Sequence, residues 1–265
     1  MEHPFTWHAL LPHALQELIP QHTFFAVLVV LFLLFFAVKA KAALARASDP
    51  LIPDEQLGTR NFAELLVGLI VSQSDAIIGK QGRKYVPYFG SFFFFILCAN
   101  LTGLLPGFSP PTSNLNTTLG LALVSFIGYN IIGAREQGGA YLKHFFGPMT
   151  SIPANNNILA KLAFFLLLLL SASFFFILES ISHLFRPVSL ALRLFGNMMG
   201  DHTVIEVFIE LTKVGVPVVF FLLGTLVSVI QAFVFTLLSM IYVALAVSHG
   251  HEEEQGHGQQ HQSHQ

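Results

Sequence analysis

The chain has 265 residues, of which 54% are hydrophobic and 11% charged, with a net charge of -2 and a mean hydropathy of +0.66. A soluble domain carries about 25% charged residues, so this composition excludes a water-facing globular surface and places the chain in a membrane. With no basic arm or patch, it also offers nothing to a nucleic-acid backbone.

The first 38 residues contain no Lys or Arg. The opening apolar run therefore lacks the basic flank of a cleaved signal peptide and is expected to stay in the mature chain. A crossing helix needs about 20 mainly apolar residues, and charge-free stretches mark the candidates. Leu18 to Val38 is the first, closed by Lys39, Lys41 and Arg46. Between the first two crossings, Phe62, Leu65, Leu66, Leu69, Ile70 and Ile77 recur at helical spacing, with Glu64, Ser72 and Asp75 elsewhere on the wheel. That pattern predicts an amphipathic helix on the cytoplasmic surface.

Tyr85 to Ala134 is too long for one crossing and is interrupted by Pro106, Pro110 and Pro111, so it predicts two helices, near 85–105 and 117–134. The lone Cys98 lies in the first of these and cannot make an intramolecular disulfide. Residues 158–212 and 214–248 are apolar enough to continue as helices of roughly 80 and 50 Å at about 1.5 Å per residue. A hydrocarbon core is about 30 Å thick, so these helices either break at Pro187 and Gly224 or run tilted. Phenylalanine runs such as Phe174 to Phe176 suit lipid contact.

The predicted fold is an all-α polytopic membrane protein with about five crossing helices, the last two long and tilted, plus the amphipathic surface helix. Residues 1–17 form an outer segment, 18–248 the membrane domain, and 249–265 a disordered, His-rich cytoplasmic tail without apolar residues. Seven of the thirteen basic residues lie between Lys39 and Lys84, and none lies before Lys39 or between Tyr85 and Ala134. The positive-inside rule puts 39–84 in the cytoplasm, the N-terminus outside and, after five crossings, the C-terminus inside. A sixth crossing made by a break at Pro187 would reverse the last assignment.

Ionisable groups cost about 2.5 to 3.5 kcal/mol each at mid-bilayer, yet residues 179–210 carry Glu179, His183, Arg186, Arg193, Asp201, His202, Glu206 and Glu210. Arg186 and Glu210 fit helix ends or snorkelling. Arg193, inside the apolar run Leu190 to Phe195, does not. At about 100° per residue, Glu179, Arg193 and Asn197 fall within about 80° of one another. His202 falls on the opposite side and lines up with Glu206 and Glu210 at successive i, i+4 spacings. Two polar stripes thus start on either side of one arginine. A polar path from each membrane face, interrupted by a permanent positive charge, produces this pattern; an internal salt bridge of Arg193 is the plainer alternative.

The segment Arg186-Pro-Val-Ser-Leu-Ala-Leu-Arg-Leu-Phe-Gly-Asn197-Met, with Val229-Ile-Gln231-Ala-Phe-Val-Phe downstream, closely resembles the a subunit of the rotary F-type ATP synthase membrane sector, bacterial type. Asn100-Leu-Thr-Gly-Leu-Leu-Pro106-Gly and Asn114-Leu-Asn116-Thr-Thr extend the resemblance over most of residues 60–247. The resemblance implies a multi-pass protein of the bacterial inner membrane. Its partners there are a ring of c subunits, the peripheral-stalk b subunits and the rest of the complex. It implies that Arg193 faces the ring carboxylates, lowering their pKa by about 1 to 3 units as a guanidinium that stays charged. Asn197, His202 and Gln231 would then line an outer half-channel and Glu179 an inner one, coupling proton flow to ring rotation. Where family members often carry His or an acid, seven residues before Gln231, this chain has Gly224. Glu206 is expected to compensate for that absence. Asn114, Asn116 and Asp201 are weaker candidates for the path.

An intramembrane protease is excluded by the absence of His-Glu-x-x-His and Gly-x-Ser-x-Gly. His202 and Glu206 could ligate a metal, but no third ligand accompanies them. The remaining rival is a secondary transporter with Arg193 at its substrate site, although the repeats usual in such folds are missing. Without a phosphate-binding loop, the chain is expected to carry no nucleotide site, no cofactor and no catalytic residue of its own.

Overall fold

The computed structural model describes residues 6–10, 12–46, 58–105, 107–138, 158–212 and 215–262, and all regular structure among them is helical. The protein is an all-α polytopic membrane protein, and among the described residues five helices are long and apolar enough to cross a bilayer: within Gln21–Ala45, Lys80–Thr102, Leu115–Gln137, Phe164–Ile209 and Gly215–Val247.

After a 3-10 turn at Trp7–Leu10 and the short α1 (His13–Leu18), α2 (Gln21–Arg46) runs on past Val38, where the charge-free stretch ends. The extension Lys39 to Arg46 is rich in alanine and long straight side chains, all strong helix formers. Lys39 folds back with its Nζ 4.9 Å from the Phe35 ring centre. The amphipathic element is α3 (Thr59–Ile77). A turn at Gly79 (φ 88°) and the 3-10 segment Lys80–Tyr85 lead into α4 (Val86–Thr102), which has Pro87 in its first turn, where no N–H is needed.

Asn114 caps α5 (Leu115–Gln137) by accepting the Asn116 N–H at 2.9 Å. Pro106, one of the predicted interruptions, lies outside the described residues.

Neither long helix breaks. The helix α6 (Ile158–Leu211) passes through Pro187, and α7 (Gly215–Gln262) passes through Gly224. Pro187 removes one rung, the N–H that would meet the carbonyl of His183. The rungs on either side carry the helix through. From 249 to Gln262, where composition predicts disorder, α7 continues as helix, with no proline to stop it.

Two compact units emerge, one of residues 1–121 with 190–241 and one of residues 122–189 with 242–265. In the first, α2 packs against α3 and α4. Phe89, Phe92, Phe93, Ile96 and Ala99 form the buried stripe of α4. Phe92 meets Phe235 of α7 with ring centres 5.5 Å apart, and Ile70 of α3 packs beside Gly90. Leu190, Leu194, Met198 and Ile205 are the buried contribution of α6. Within a bilayer, such contacts are held by dispersion and close fit rather than by release of water. In the second unit, Tyr129, Val243 and Ala246 are buried, and Gln137 Nε2 donates to the Ala246 carbonyl at 2.6 Å.

Candidate functional site

Arg193 lies on an exposed face of α6, beside exposed Leu192, Gly196 and Gly200, in a stretch whose neighbours Leu190 and Leu194 are buried. It has no hydrogen-bond or ion-pair partner among the described residues, so the internal salt bridge is not made there. A Cβ on Gly196 or Gly200 would meet nothing within 4 Å. The surface around the guanidinium is therefore low and open, the form that lets another helix approach closely.

One turn on, Asn197 Nδ2 donates to Oε1 of Gln231 on α7 at 2.8 Å. Gln231 is 3% exposed, and its Nε2 has no partner among the described residues; the same holds for Ser228 Oγ one turn earlier. Buried polar atoms are normally satisfied. Two adjacent unsatisfied groups on one helix face therefore mark a polar seam rather than an apolar packing surface.

On the same unit, His202 and Glu206 line a cavity of about 590 Å³ with Thr6, Gln21, Gly103 and Phe108. His202 Nδ1 lies 3.4 Å from Glu206 Oε1, so the i, i+4 stripe read from sequence is a real pair. Its next member, Glu210, has a side chain outside the described set. The space left by Gly224 is filled by Asp201: a Cβ at Gly224 would fall 2.5 Å from Asp201 Oδ2 and 3.1 Å from Leu104 Cδ2. Thus Glu206 pairs with His202, while Asp201 occupies the place that a longer residue 224 would take.

In the second unit, Glu179 is joined to His183, with His183 Nε2 at 3.0 Å from Glu179 Oε1. The other ring nitrogen, Nδ1, lies 3.1 Å from the hydroxyl of Tyr129 on α5. Asn114 serves as the α5 cap described above, and Asn116 is exposed one turn into that helix. From sequence alone His183 and Tyr129 carry no assigned role. The i, i+4 spacing of Glu179 and His183 was an available signal; Tyr129, 54 positions from His183, carried none. Among the described residues, no group of three His, Cys, Asp or Glu stands close enough to hold a metal ion.

A family model described as ATP synthase A chain matches residues 22–244. ATP synthase subunit a of Bdellovibrio bacteriovorus is 44% identical over 213 residues, covering 80% of this chain and 85% of that protein. ATP synthase subunit a of Geobacter sulfurreducens is 41% identical over 194 residues, covering 73% and 76%. ATP synthase subunit a 3 of Pelobacter propionicus is 38% identical over 256 residues, covering 95% and 100%.

Proposed function

Because the chain belongs to the ATP synthase A chain family and so forms part of that complex, we propose that it is the proton-translocating stator subunit, with Arg193 set against the membrane carboxylates of a rotating c-subunit ring. The observation that carries this reading is an exposed arginine in an apolar span with no counter-charge among the described residues. Such a group is expensive in lipid. It fits a site whose counter-charge arrives on another subunit.

A protonated ring carboxyl reaching Arg193 loses its proton, because the fixed cation favours the carboxylate. The same charge repels a proton moving directly between the two sides. The outer path runs through the cavity at His202 and Glu206 and along the seam of Asn197, Ser228 and Gln231, with Asp201 beside it. Histidine suits that position because its unperturbed pKa is near neutrality. Glu179 opens the inner path. The N-terminus lies outside a bacterial inner membrane and the C-terminus in the cytoplasm, and the peripheral-stalk b subunits hold the chain against the ring's torque.

Replacing Arg193 by alanine is the test. Membranes carrying the variant complex should hydrolyse ATP at the soluble sector while losing ATP synthesis and ATP-driven proton pumping. Normal synthesis in that variant would refute the reading.

A further inference from the structure

Tyr129, His183 and Glu179 form a graded series from interior to surface: Tyr129 is 1% exposed, His183 is 7% exposed, and the Glu179 side chain is 29% exposed. Both imidazole nitrogens have an oxygen partner, Nδ1 the Tyr129 hydroxyl at 3.1 Å and Nε2 a Glu179 oxygen at 3.0 Å. Among the described residues, charged and titratable groups at this cluster come from three helices: Tyr129 from α5, Glu179 and Arg186 from α6, and Tyr242 from α7. Arg186 stacks with its Cζ 5.5 Å from the Tyr242 ring centre, and Tyr242 lies 5.7 Å from the Tyr129 ring. A buried imidazole bonded at both nitrogens is fixed in orientation, and its tautomer is set by the partner with the stronger demand.

We infer that His183 is the proton-holding partner of Glu179, with Tyr129 as the residue that positions the ring, so that the inner half-channel works through a carboxylate–imidazole pair. This rests on the stator reading above. When Glu179 is protonated, its O–H is the stronger donor, so Nε2 accepts it with its lone pair and Nδ1–H donates to the Tyr129 oxygen. A proton arriving on Glu179 then crosses one hydrogen bond: the carboxyl O–H breaks, an Nε2–H forms, and a neutral acid and base become a carboxylate and an imidazolium. The reverse step returns the proton to Glu179.

The test uses inverted membrane vesicles bearing the whole complex, in which the bulk solution is the cytoplasmic side. The initial rate of ATP-driven proton uptake is normalised to membrane-bound ATPase activity and followed from pH 6 to 9. His183→Gln keeps an amide for hydrogen bonding but cannot hold a proton. It should lower uptake by at least about tenfold and remove the variation of rate across the histidine range, about pH 6 to 8. Tyr129→Phe keeps the ring packing and removes the Nδ1 partner; it should displace the pH profile with a smaller loss. A His183→Gln profile and rate like the unsubstituted complex overturn the inference. If His183→Gln does not assemble, Tyr129→Phe decides, and an unchanged profile there overturns it equally. An Arg193→Ala complex that pumps normally refutes the stator reading instead, whereas an inactive Arg193→Ala beside a normal His183→Gln refutes this inference alone.

Discussion

Asp201 on α6 occupies the space that any side chain on Gly224 of α7 would need, its Oδ2 lying 2.5 Å from the position of the missing Cβ. In a helix interior, glycine is about 1 kcal/mol worse than alanine, so Gly224→Ala would ordinarily stabilise α7. Here it should instead crowd the Asp201 side chain, push α7 away from α6 and lower ATP-driven pumping several-fold. Combining it with Asp201→Gly should recover much of the loss. Pumping rates for the two single variants and the double variant, normalised to bound ATPase, check the coupling; strictly additive losses would show that the two positions act independently.

Arg193→Lys keeps a positive charge but gives up the planar fork and the resistance to deprotonation. Loss of a single pre-positioned donor at a developing charge typically costs about 10² to 10³ in rate. Synthesis driven by an imposed proton gradient should fall by about that factor, with hydrolysis retained. A lysine variant at half the normal rate would mean that charge alone suffices.

The Asn197–Gln231 bond joins α6 to α7 at a buried acceptor. Asn197→Ala should strand the Gln231 carbonyl and destabilise the contact by about 1 to 3 kcal/mol. Gln231→Leu removes the buried amide altogether and should cost less stability than transport. Thermal release of the subunit from the detergent-solubilised complex, measured beside pumping, separates the two effects.

Asp75 and Arg83 clasp the turn between α3 and α4 in a two-pronged pair, with Arg83 Nε to Asp75 Oδ1 at 2.9 Å and Arg83 Nη2 to Asp75 Oδ2 at 2.6 Å. The hydrogen bond from Arg83 holds the Asp75 carboxyl below its ordinary value. A depressed carboxylate pKa stabilises the fold above the ordinary value, about 3.9, and that contribution disappears as pH falls through the lower, folded value. The protection that this pair gives the 78–85 turn against hydrogen exchange should therefore be full and independent of pH from about pH 5 upward, once intrinsic exchange is corrected. Asp75→Asn should speed exchange at neutral pH, and equal protection in both proteins would show that the pair does not hold the turn.

The helices were legible because apolar runs and their breaks report directly on what a bilayer tolerates. Continuity through Pro187 followed from the length of the apolar run, although the local rule favours a break at about 3 kcal/mol or more, because a 54-residue helix has many remaining rungs to carry it. Of the site, the face shared by Arg193 and Asn197 and the pair His202–Glu206 followed from helical spacing. Asp201 against Gly224 and Tyr129 against His183 are meetings between different helices. No periodicity within one helix encodes them.

The bare guanidinium of Arg193 also bears on how the protein is made. A chain that enters the membrane with an unmatched charge on an open helix face is an unfinished object until its neighbours arrive. While it stands alone, that charge faces lipid at a cost of about 2.5 to 3.5 kcal/mol, which a partner of opposite charge would remove.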